Sequence, residues 1–137
     1  MSSQETIARL YAADVAAQAL GMAVAQSASG HAVVTMTVAA SMANGHGVCH
    51  GGLIFALADT AFAYACNSNG GTHLAAHASI EFLAPARVGD VLTAEADENW
   101  RGGRSGLTDV SVKDQGGRPI AIFRGRSQRV NTEQLSA

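Results

Sequence analysis

One carboxylate stands alone in the most apolar stretch of this sequence. From Leu53 to Cys66 almost every side chain is apolar, and Asp59 is the sole charged residue. A buried carboxylate without a partner is costly, so it must be paired, be protonated or face a cleft. Asp59 is therefore either a structural residue whose side chain caps a neighbouring loop or a reactive group. The residues alone leave both interpretations open.

A second candidate lies directly before this stretch, where His50-Gly51-Gly52 begins a predicted helix. The first N–H groups of a helix have no acceptor within it and lie at the positive end of its dipole. Glycine lets a ligand oxygen approach that backbone closely. The segment could therefore bind a phosphate or stabilise the oxyanion of an acyl transfer. The alternative is an ordinary tight junction between a loop and a helix.

The spacing of the two candidates sets a condition on any joint role. Gly51 and Asp59 are eight residues apart, which is about 12 Å along a helix. An oxyanion donor and a base must each lie about 3 Å from the reacting centre. One helix cannot offer both to one substrate. If both act, Gly51 of one chain must meet Asp59 of another, and the catalytic interpretation requires a dimer.

The elements before these residues follow from periodicity and turn residues. Apolar residues three to five apart predict a helix from Gln4 to about Leu20, with Ser3 as a plausible N-cap and Gly21 as its stop. Alternation predicts a strand over His31–Val38. The turn residues of Ser41–His50 then predict a loop.

The rest of the chain predicts one long buried helix followed by four strands. The apolar run from Gly51 to Asn67 is too long and too rich in alanine for a strand. Glycine-rich turns separate four strand-like segments, at Thr72–Leu83, Val91–Arg101, Ser105–Lys113 and Pro119–Val130. Without a repeat or linker, we expect residues 1–137 to form a single α+β domain, with one antiparallel sheet and a central helix on one face.

Several motifs together closely resemble the PaaI-type (phenylacetate-pathway) hotdog thioesterases. They are Asn44-Gly45-His46, Cys49-His50-Gly51-Gly52, Leu57-Ala58-Asp59-Thr60-Ala61-Phe62-Ala63, Phe82-Leu83-Ala84-Pro85 and Phe123-Arg124-Gly125-Arg126-Ser127. The resemblance covers nearly the whole chain. It implies a hotdog fold, in which an antiparallel sheet wraps around a long central helix. It also implies hydrolysis of an acyl-CoA, such as phenylacetyl-CoA or hydroxyphenylacetyl-CoA, to the free acid and CoA.

The resemblance further implies catalytic roles for Asp59, Gly51 and Asn44, and we add His50, from the same motif, to the expected catalytic set. Asp59 is then the nucleophile or general base, and the Gly51 amide polarises the thioester carbonyl. Asn44 assists near the substrate. His50 is expected to hydrogen-bond backbone and fix the loop. A nucleophilic pair of Cys49 and a histidine is a less economical alternative.

The expected substrate-binding set is Gly52, Thr60, Phe62, Arg124 and Arg126. Phe62 lies three residues beyond Asp59 and so shares its face, whereas Phe55 and Tyr64 are expected in the core. Arg124 and Arg126 alternate along the last strand and face one way, and guanidinium groups suit phosphates; the alternative is a solvated positive edge.

One position departs from the family pattern. Ala84 stands where relatives often have arginine before the proline. The contacts to the CoA phosphates therefore do not follow from the resemblance.

Composition limits the partners. The net charge is −2, and the one basic cluster is small, which argues against nucleic acid. Apolar residues make up 47% and charged residues 15%, so either the chain is simply rich in alanine or extra surface is buried in an oligomer. We expect at least a dimer, and a tetramer of two dimers as the full assembly.

We expect neither a metal site nor a bound cofactor nor a membrane-spanning segment. His46, Cys49 and His50 crowd one short loop instead of converging as metal ligands do. No cofactor is needed, because CoA belongs to the substrate. No apolar run is long enough to cross a membrane, and Glu5 and Asp14 argue against a signal peptide. Two cysteines in a chain of this size suggest a reducing compartment, so a cytoplasmic protein is predicted.

Two other function classes stay open. One is a hotdog hydratase or dehydratase acting on acyl thioesters, although such enzymes typically place a catalytic histidine beside an acid. The other is a non-catalytic regulator that binds acyl-CoA. Release of free thiol from a panel of acyl-CoAs would separate the three, and the preferred acyl group does not follow from the sequence.

Overall fold

The structure, a computed structural model, describes residues 1–135 and contains three α-helices and six strands within that range. The helices are α1 (Ser3–Ala13), α2 (Val15–Ala19) and α3 (Gly51–Asn67). The strands are β1 (Ala23–Ala28), β2 (His31–Thr37), β3 (Thr72–Phe82), β4 (Val91–Gly102), β5 (Ser105–Lys113) and β6 (Pro119–Val130). Short 3-10 turns occur at Ala40–Met42 and Thr132–Leu135.

The six strands form one antiparallel sheet in the order β1-β2-β4-β5-β6-β3. The long helix α3 packs on one face of it and contacts β2 to β6. Its buried side chains, such as Leu57 and Phe62, join the inward residues of the strands in one core. The predicted α+β arrangement is therefore correct. No helix among residues 1–135 is long and apolar enough to cross a bilayer.

The N-terminal region differs from the prediction of one continuous helix. Asp14 ends α1 and caps α2, with backbone angles of φ −87° and ψ 85° and a side chain that accepts from the Ala17 N–H at 3.0 Å. Aspartate favours such a cap because its carboxylate satisfies a free N–H of the first turn. Ser2, not Ser3, is the N-cap of α1 and accepts from the Glu5 N–H.

The strand β1 was not predicted. Its sequence contains one β-branched residue among alanines and polar residues, so its own composition gives little sign of a strand. It forms because Ala23 to Ala28 pair with the strongly predicted β2. Pairing with β2 stabilises β1, whose own residues have little preference for a strand.

The two faces of the sheet differ in chemistry. On β6 the residues Phe123, Gly125 and Ser127 are buried towards α3, while Arg124 and Arg126 are exposed on the opposite face. We call these the helix face and the outer face. The strand β3 lies at one edge of the sheet and pairs only with β6 among the described strands.

Candidate active site

The start of α3 leaves one backbone donor free. His50 is the N-cap, and its Nδ1 accepts a hydrogen bond from the Gly52 N–H at 3.1 Å. The Leu53 N–H donates to the His50 carbonyl at 2.9 Å. Within residues 1–135, the Gly51 N–H has no acceptor. Gly51 is therefore the available donor at the positive end of the helix.

The hydrogen bond between the Gly52 N–H and His50 Nδ1 fixes the roles of both residues at the start of α3. The expected contact of His50 with backbone is present, and because Nδ1 accepts, the neutral ring carries its proton on Nε2. The Gly52 N–H is occupied by this bond, so among the two glycines only Gly51 offers its amide to a ligand.

The loop before α3 is held by Asn44. Its Oδ1 accepts from the His46 N–H at 2.9 Å and from the Val48 N–H at 3.3 Å. The His50 N–H donates to the Met42 carbonyl at 2.8 Å, which ties the end of the loop to its beginning. The Asn44 amide nitrogen has no partner in the described part of the chain. Asn44 thus orders the loop and keeps a donor available.

Asp59 is half-buried midway along α3. Its carboxylate forms no hydrogen bond or ion pair with any residue between 1 and 135. Burial raises the pKa of the Asp59 carboxyl above its ordinary value of 3.8. An unpaired carboxylate with a raised pKa is the environment expected of a functional acid or base. Thr60, beside it, donates its hydroxyl to the Ala56 carbonyl at 2.7 Å and is satisfied within the helix.

The position of Asp59 relative to the sheet follows from contacts at the two ends of α3. Gly51 lies against the Phe82 ring, and Asn67 hydrogen-bonds the His73 backbone, so α3 runs antiparallel to β3. Asp59 lies halfway between these contacts and is therefore level with the middle of the edge strand β3. There, Ala75 to His77 are exposed.

The helix is continuous between the two candidates. An α-helix extends unbroken from Gly51 to Asn67, so the Gly51 and Asp59 backbones are about 12 Å apart along its axis. Gly51 and Asp59 therefore have the separation that their spacing in the sequence predicts. Within one chain, the free Gly51 N–H and the Asp59 carboxylate cannot act on the same carbonyl.

The expected role of Phe62 as a pocket wall is not met within the chain. Phe62 is 1% exposed, and its ring packs 5.8 Å from that of Phe123. It also covers Gly125, where an added Cβ would lie 2.7 Å from the ring. Phe55, expected in the core, packs against that core with its ring 5.3 Å from that of Phe123, and it is half-buried. Both aromatics lie within one turn of Asp59, so helical spacing could not decide between them.

A shallow apolar depression, which was not predicted from the sequence, adjoins Gly51. It has a volume of about 330 Å³, and Phe82 and Leu83 line it with Ile54 and Gly51. Phe82 and Leu83 are each more than half exposed. Large apolar side chains exposed together mark a surface that contacts a ligand or partner. The signal in the sequence was the Phe82-Leu83 pair within the family motif.

Arg124 and Arg126 share one face, as predicted, but that is the outer face of the sheet. Arg124 donates from Nε and Nη2 to the Asp109 carboxylate at 2.7 and 3.0 Å, which lowers the pKa of Asp109. Arg126 has no carboxylate partner among residues 1–135. The sheet separates both arginines from Asp59. Among the described strands, only β3 lies between β6, which carries both arginines, and this edge of the sheet.

Cys49 is a poor nucleophile in this position. Its thiol is buried, burial raises its pKa, and its Sγ lies 3.6 Å from the His50 carbonyl oxygen. A raised pKa lowers the fraction of thiolate, which is the reactive form. No group of three or more metal-binding side chains converges in the described part of the chain.

Comparisons with known proteins identify the family of the chain. The profile of the thioesterase superfamily matches residues 46–121. The acyl-coenzyme A thioesterase PaaI of Escherichia coli K12 is 48% identical over 121 residues, covering 88% of this chain and 86% of that protein.

Two solved structures show the same fold. The structure of the Escherichia coli PaaI protein, from the phenylacetic acid degradation operon, superposes with a TM-score of 0.92, at 45% identity and 94% coverage of both chains. A Streptococcus pneumoniae TIGR4 thioesterase protein, solved with coenzyme A, gives a TM-score of 0.77 at 27% identity, covering 80% of this chain and 86% of that one.

The chain belongs to the thioesterase superfamily and has the hotdog fold. It is an enzyme, a thioester hydrolase. The resemblance to the PaaI-type thioesterases, stated from the motifs, is confirmed.

Proposed function

We propose that this enzyme hydrolyses acyl-CoA thioesters to the free acid and CoA, with phenylacetyl-CoA or hydroxyphenylacetyl-CoA as its substrate class. One observation carries the proposal. The only first-turn glycine of α3 with a free N–H, Gly51, and the unpaired carboxylate of Asp59 lie on the same helix. The name of the Escherichia coli relative supports the acyl-CoA class, and its operon supports the phenylacetyl group.

In this proposal the Gly51 N–H donates to the thioester carbonyl oxygen. It stabilises the negative charge that develops there when the carbonyl carbon is attacked. The neighbouring first-turn amides are already bonded to His50, so this donor is fixed in direction by a capped helix. Asn44, with its free amide nitrogen on the ordered loop, is a second donor near the substrate.

Asp59 supplies the attack by one of two routes. As a general base it takes a proton from water while the water oxygen bonds to the carbonyl carbon; the C–S bond then breaks, and CoA leaves as the thiolate. As a nucleophile its carboxylate oxygen bonds to that carbon and expels the thiolate, and water then hydrolyses the mixed anhydride. A raised pKa makes Asp59 a stronger base than an ordinary carboxylate.

The proposed site is shared by two chains. Because Gly51 and Asp59 are about 12 Å apart on one helix, each site needs Gly51 from one subunit and Asp59 from the other. The edge of β3 has no strand beyond it in the described chain, and its exposed middle is level with Asp59. A second copy that pairs along this edge would form a symmetric dimer. The low charged fraction is consistent with further surface buried in an oligomer, and we propose two such dimers in a tetramer.

The compartment is also a proposal. Cys49 and Cys66 are free thiols. Unpaired cysteines are typical of reducing compartments, and we propose the cytoplasm.

Release of free thiol from a panel of acyl-CoAs tests the function, with Asp59→Asn as the decisive variant. The amide is isosteric but can neither attack nor accept a proton, so turnover should fall more than about a hundredfold while folding and acyl-CoA binding persist. Glu95→Gln is the matched control, because Glu95 is an exposed carboxylate on β4 whose removal should leave turnover unchanged. If Asp59→Asn keeps more than about a tenth of the wild-type kcat, Asp59 is structural.

Two further measurements, of enoyl-CoA hydration and of acyl-CoA binding, separate the alternatives if no thiol is released. Hydration of an enoyl-CoA without thiol release would identify a hydratase. Binding of acyl-CoA without any reaction would identify a regulator.

A further inference from the structure

A second depression opens one helical turn beyond Asp59, between the N-terminal helices and the C-terminal half of α3. It has a volume of about 400 Å³. We call it the N-terminal pocket, and its apolar walls are Leu10, Ala13, Val15, Ala63 and the Tyr64 ring. A cavity of about 150 Å³ lined by apolar side chains can hold a benzene molecule, so this space is ample for an aryl or short alkyl group.

We propose that the N-terminal pocket receives the acyl group of the substrate, so that Leu10, Ala13 and Val15 select the acyl size. This inference rests on the proposed function, since it takes Asp59 as the site of attack. It extends that function to a segment outside residues 46–121, which carry the family match.

The distance from the reacting centre fits such a group. Ala63 lies four residues after Asp59 on the same side of α3 and so about 6 Å further along the axis. A thioester carbon in contact with Asp59 therefore has the pocket within the length of a phenylacetyl group. A shorter acyl group, such as acetyl, would end before reaching the α1 side chains.

The polar groups of the pocket favour a hydrocarbon over the pantetheine arm. The Asn67 amide donates to the Ala63 and His73 carbonyls, and its oxygen accepts from the His73 N–H. The Asp14 carboxylate accepts from the Ala17 N–H and the Tyr64 hydroxyl. Pantetheine has two amides that need hydrogen-bond partners, and a pocket whose polar groups are already bonded to each other suits it poorly.

The apolar wall is held in place rather than loosely attached. The Tyr64 hydroxyl donates to Asp14 at 2.8 Å and joins the junction of α1 and α2 to the central helix. Ile7 is fully buried beneath α1, and the Tyr11 hydroxyl donates to the Met22 carbonyl at 2.7 Å. Val15, by contrast, is 80% exposed. Fixed apolar side chains left in water gain free energy when an apolar group covers them.

Two neighbouring alanines of α1 give a matched test. Ala12 and Ala13 are both exposed near the end of the helix, but only Ala13 lines the pocket. Ala13→Trp should lower kcat/KM for phenylacetyl-CoA by about tenfold or more and leave acetyl-CoA hydrolysis within about twofold. Ala12→Trp adds the same side chain outside the pocket and should change neither. Circular dichroism checks that both variants fold.

A second variant works in the opposite direction and covers the case in which Ala13→Trp does not fold. Leu10→Ala enlarges the pocket, so kcat/KM for octanoyl-CoA relative to phenylacetyl-CoA should rise by about tenfold. Unchanged acyl preference in the folded variants, or an equal loss on acetyl-CoA and phenylacetyl-CoA, overturns the pocket assignment. In that case, the proposed function is still supported if the wild type releases thiol and Asp59→Asn does not. If the wild type releases no thiol from any acyl-CoA, the proposed function itself fails, and this inference fails with it.

Discussion

Replacing Gly51 by proline removes one hydrogen atom from the proposed oxyanion site and disturbs little else. Gly51 is the first residue of α3, the position at which proline is best tolerated in a helix. The preceding His50 has φ −59° and ψ 129°, in the region that a residue before proline adopts. The Gly51 N–H has no acceptor among residues 1–135, so no hydrogen bond of the fold is lost.

The expected loss follows from the role of that N–H. Removal of one oxyanion donor typically lowers kcat by about 10²–10³, or about 2.7–4 kcal/mol. Crowding is the competing explanation, because a Cβ at Gly51 would lie 3.2 Å from the Phe82 ring. Gly51→Ala adds the same Cβ and retains the N–H, so it is the matched control. Its kcat should stay within about tenfold of wild type, since the half-exposed Phe82 ring can move by the few tenths of an ångström required.

Mixing variants then tests whether the site is shared. Homodimers of Gly51→Pro and of Asp59→Asn each lack one required group at both sites. In a mixed dimer, one site combines the intact Asp59 and the intact Gly51 amide, and the other site carries both defects. Random pairing of equal amounts gives about half mixed dimers, each with one working site of two, so roughly a quarter of wild-type activity should return.

Thiol release from phenylacetyl-CoA measures both results, after circular dichroism has shown that each variant is folded. Equal losses in Gly51→Ala and Gly51→Pro would mean that crowding, not the N–H, causes the effect. If the two inactive variants fold and exchange subunits but activity stays at the level of the separate proteins, the two-chain site is wrong.

Two further predictions concern charge. Burial raises the Asp59 pKa, so the ionised carboxylate destabilises the native state, and this destabilisation grows as pH rises from the ordinary pKa of 3.8 through the native pKa. Asp59→Asn should therefore raise the melting temperature at pH 7. Thermal melts at a series of pH values should show this gain disappearing as pH falls towards 3.8. A gain that is unchanged at low pH would exclude ionisation as its cause. Arg126→Ala should raise KM for acyl-CoA but not for a pantetheine thioester, which lacks the CoA phosphates. Arg124→Ala should change KM little, because the wild-type Arg124 guanidinium is already bonded to Asp109. Equal effects of Arg126→Ala on both substrates would count against a phosphate contact.

Much of the fold could be predicted because local patterns and tertiary packing agree. The helix Gly51–Asn67 has the predicted bounds, since a long apolar run between glycines has one stable packing, across the centre of a sheet. The strands β5 and β6 also have their predicted bounds, Ser105–Lys113 and Pro119–Val130, because glycine turns precede both strands and end β5. In these segments the propensity, the hydrophobic period and the turns all indicate the same element.

Where local signals conflict or are weak, the prediction fails. Asp14 lies within an apolar helical period, but its carboxylate satisfies a free N–H and so divides the helix in two. The strand β1, Ala23–Ala28, has almost no intrinsic preference and depends on its pairing with β2. A sequence window does not contain the partner strand, so it cannot reveal such a strand.

The candidate site divides in the same way. Residue types and spacing alone indicate the candidate groups: a lone carboxylate at Asp59, a glycine amide at the helix start, and a helical separation too long for both to act on one substrate within one chain. Which groups are available to a ligand depends on packing between distant parts of the chain, so it is visible in the folded structure alone. The fold buried Phe62 completely and left Phe55 half-buried at the edge of the core, although both rings pack against Phe123 of β6. It also placed Arg126 on the outer face, since the side to which a residue points depends on which face of its strand the helix covers.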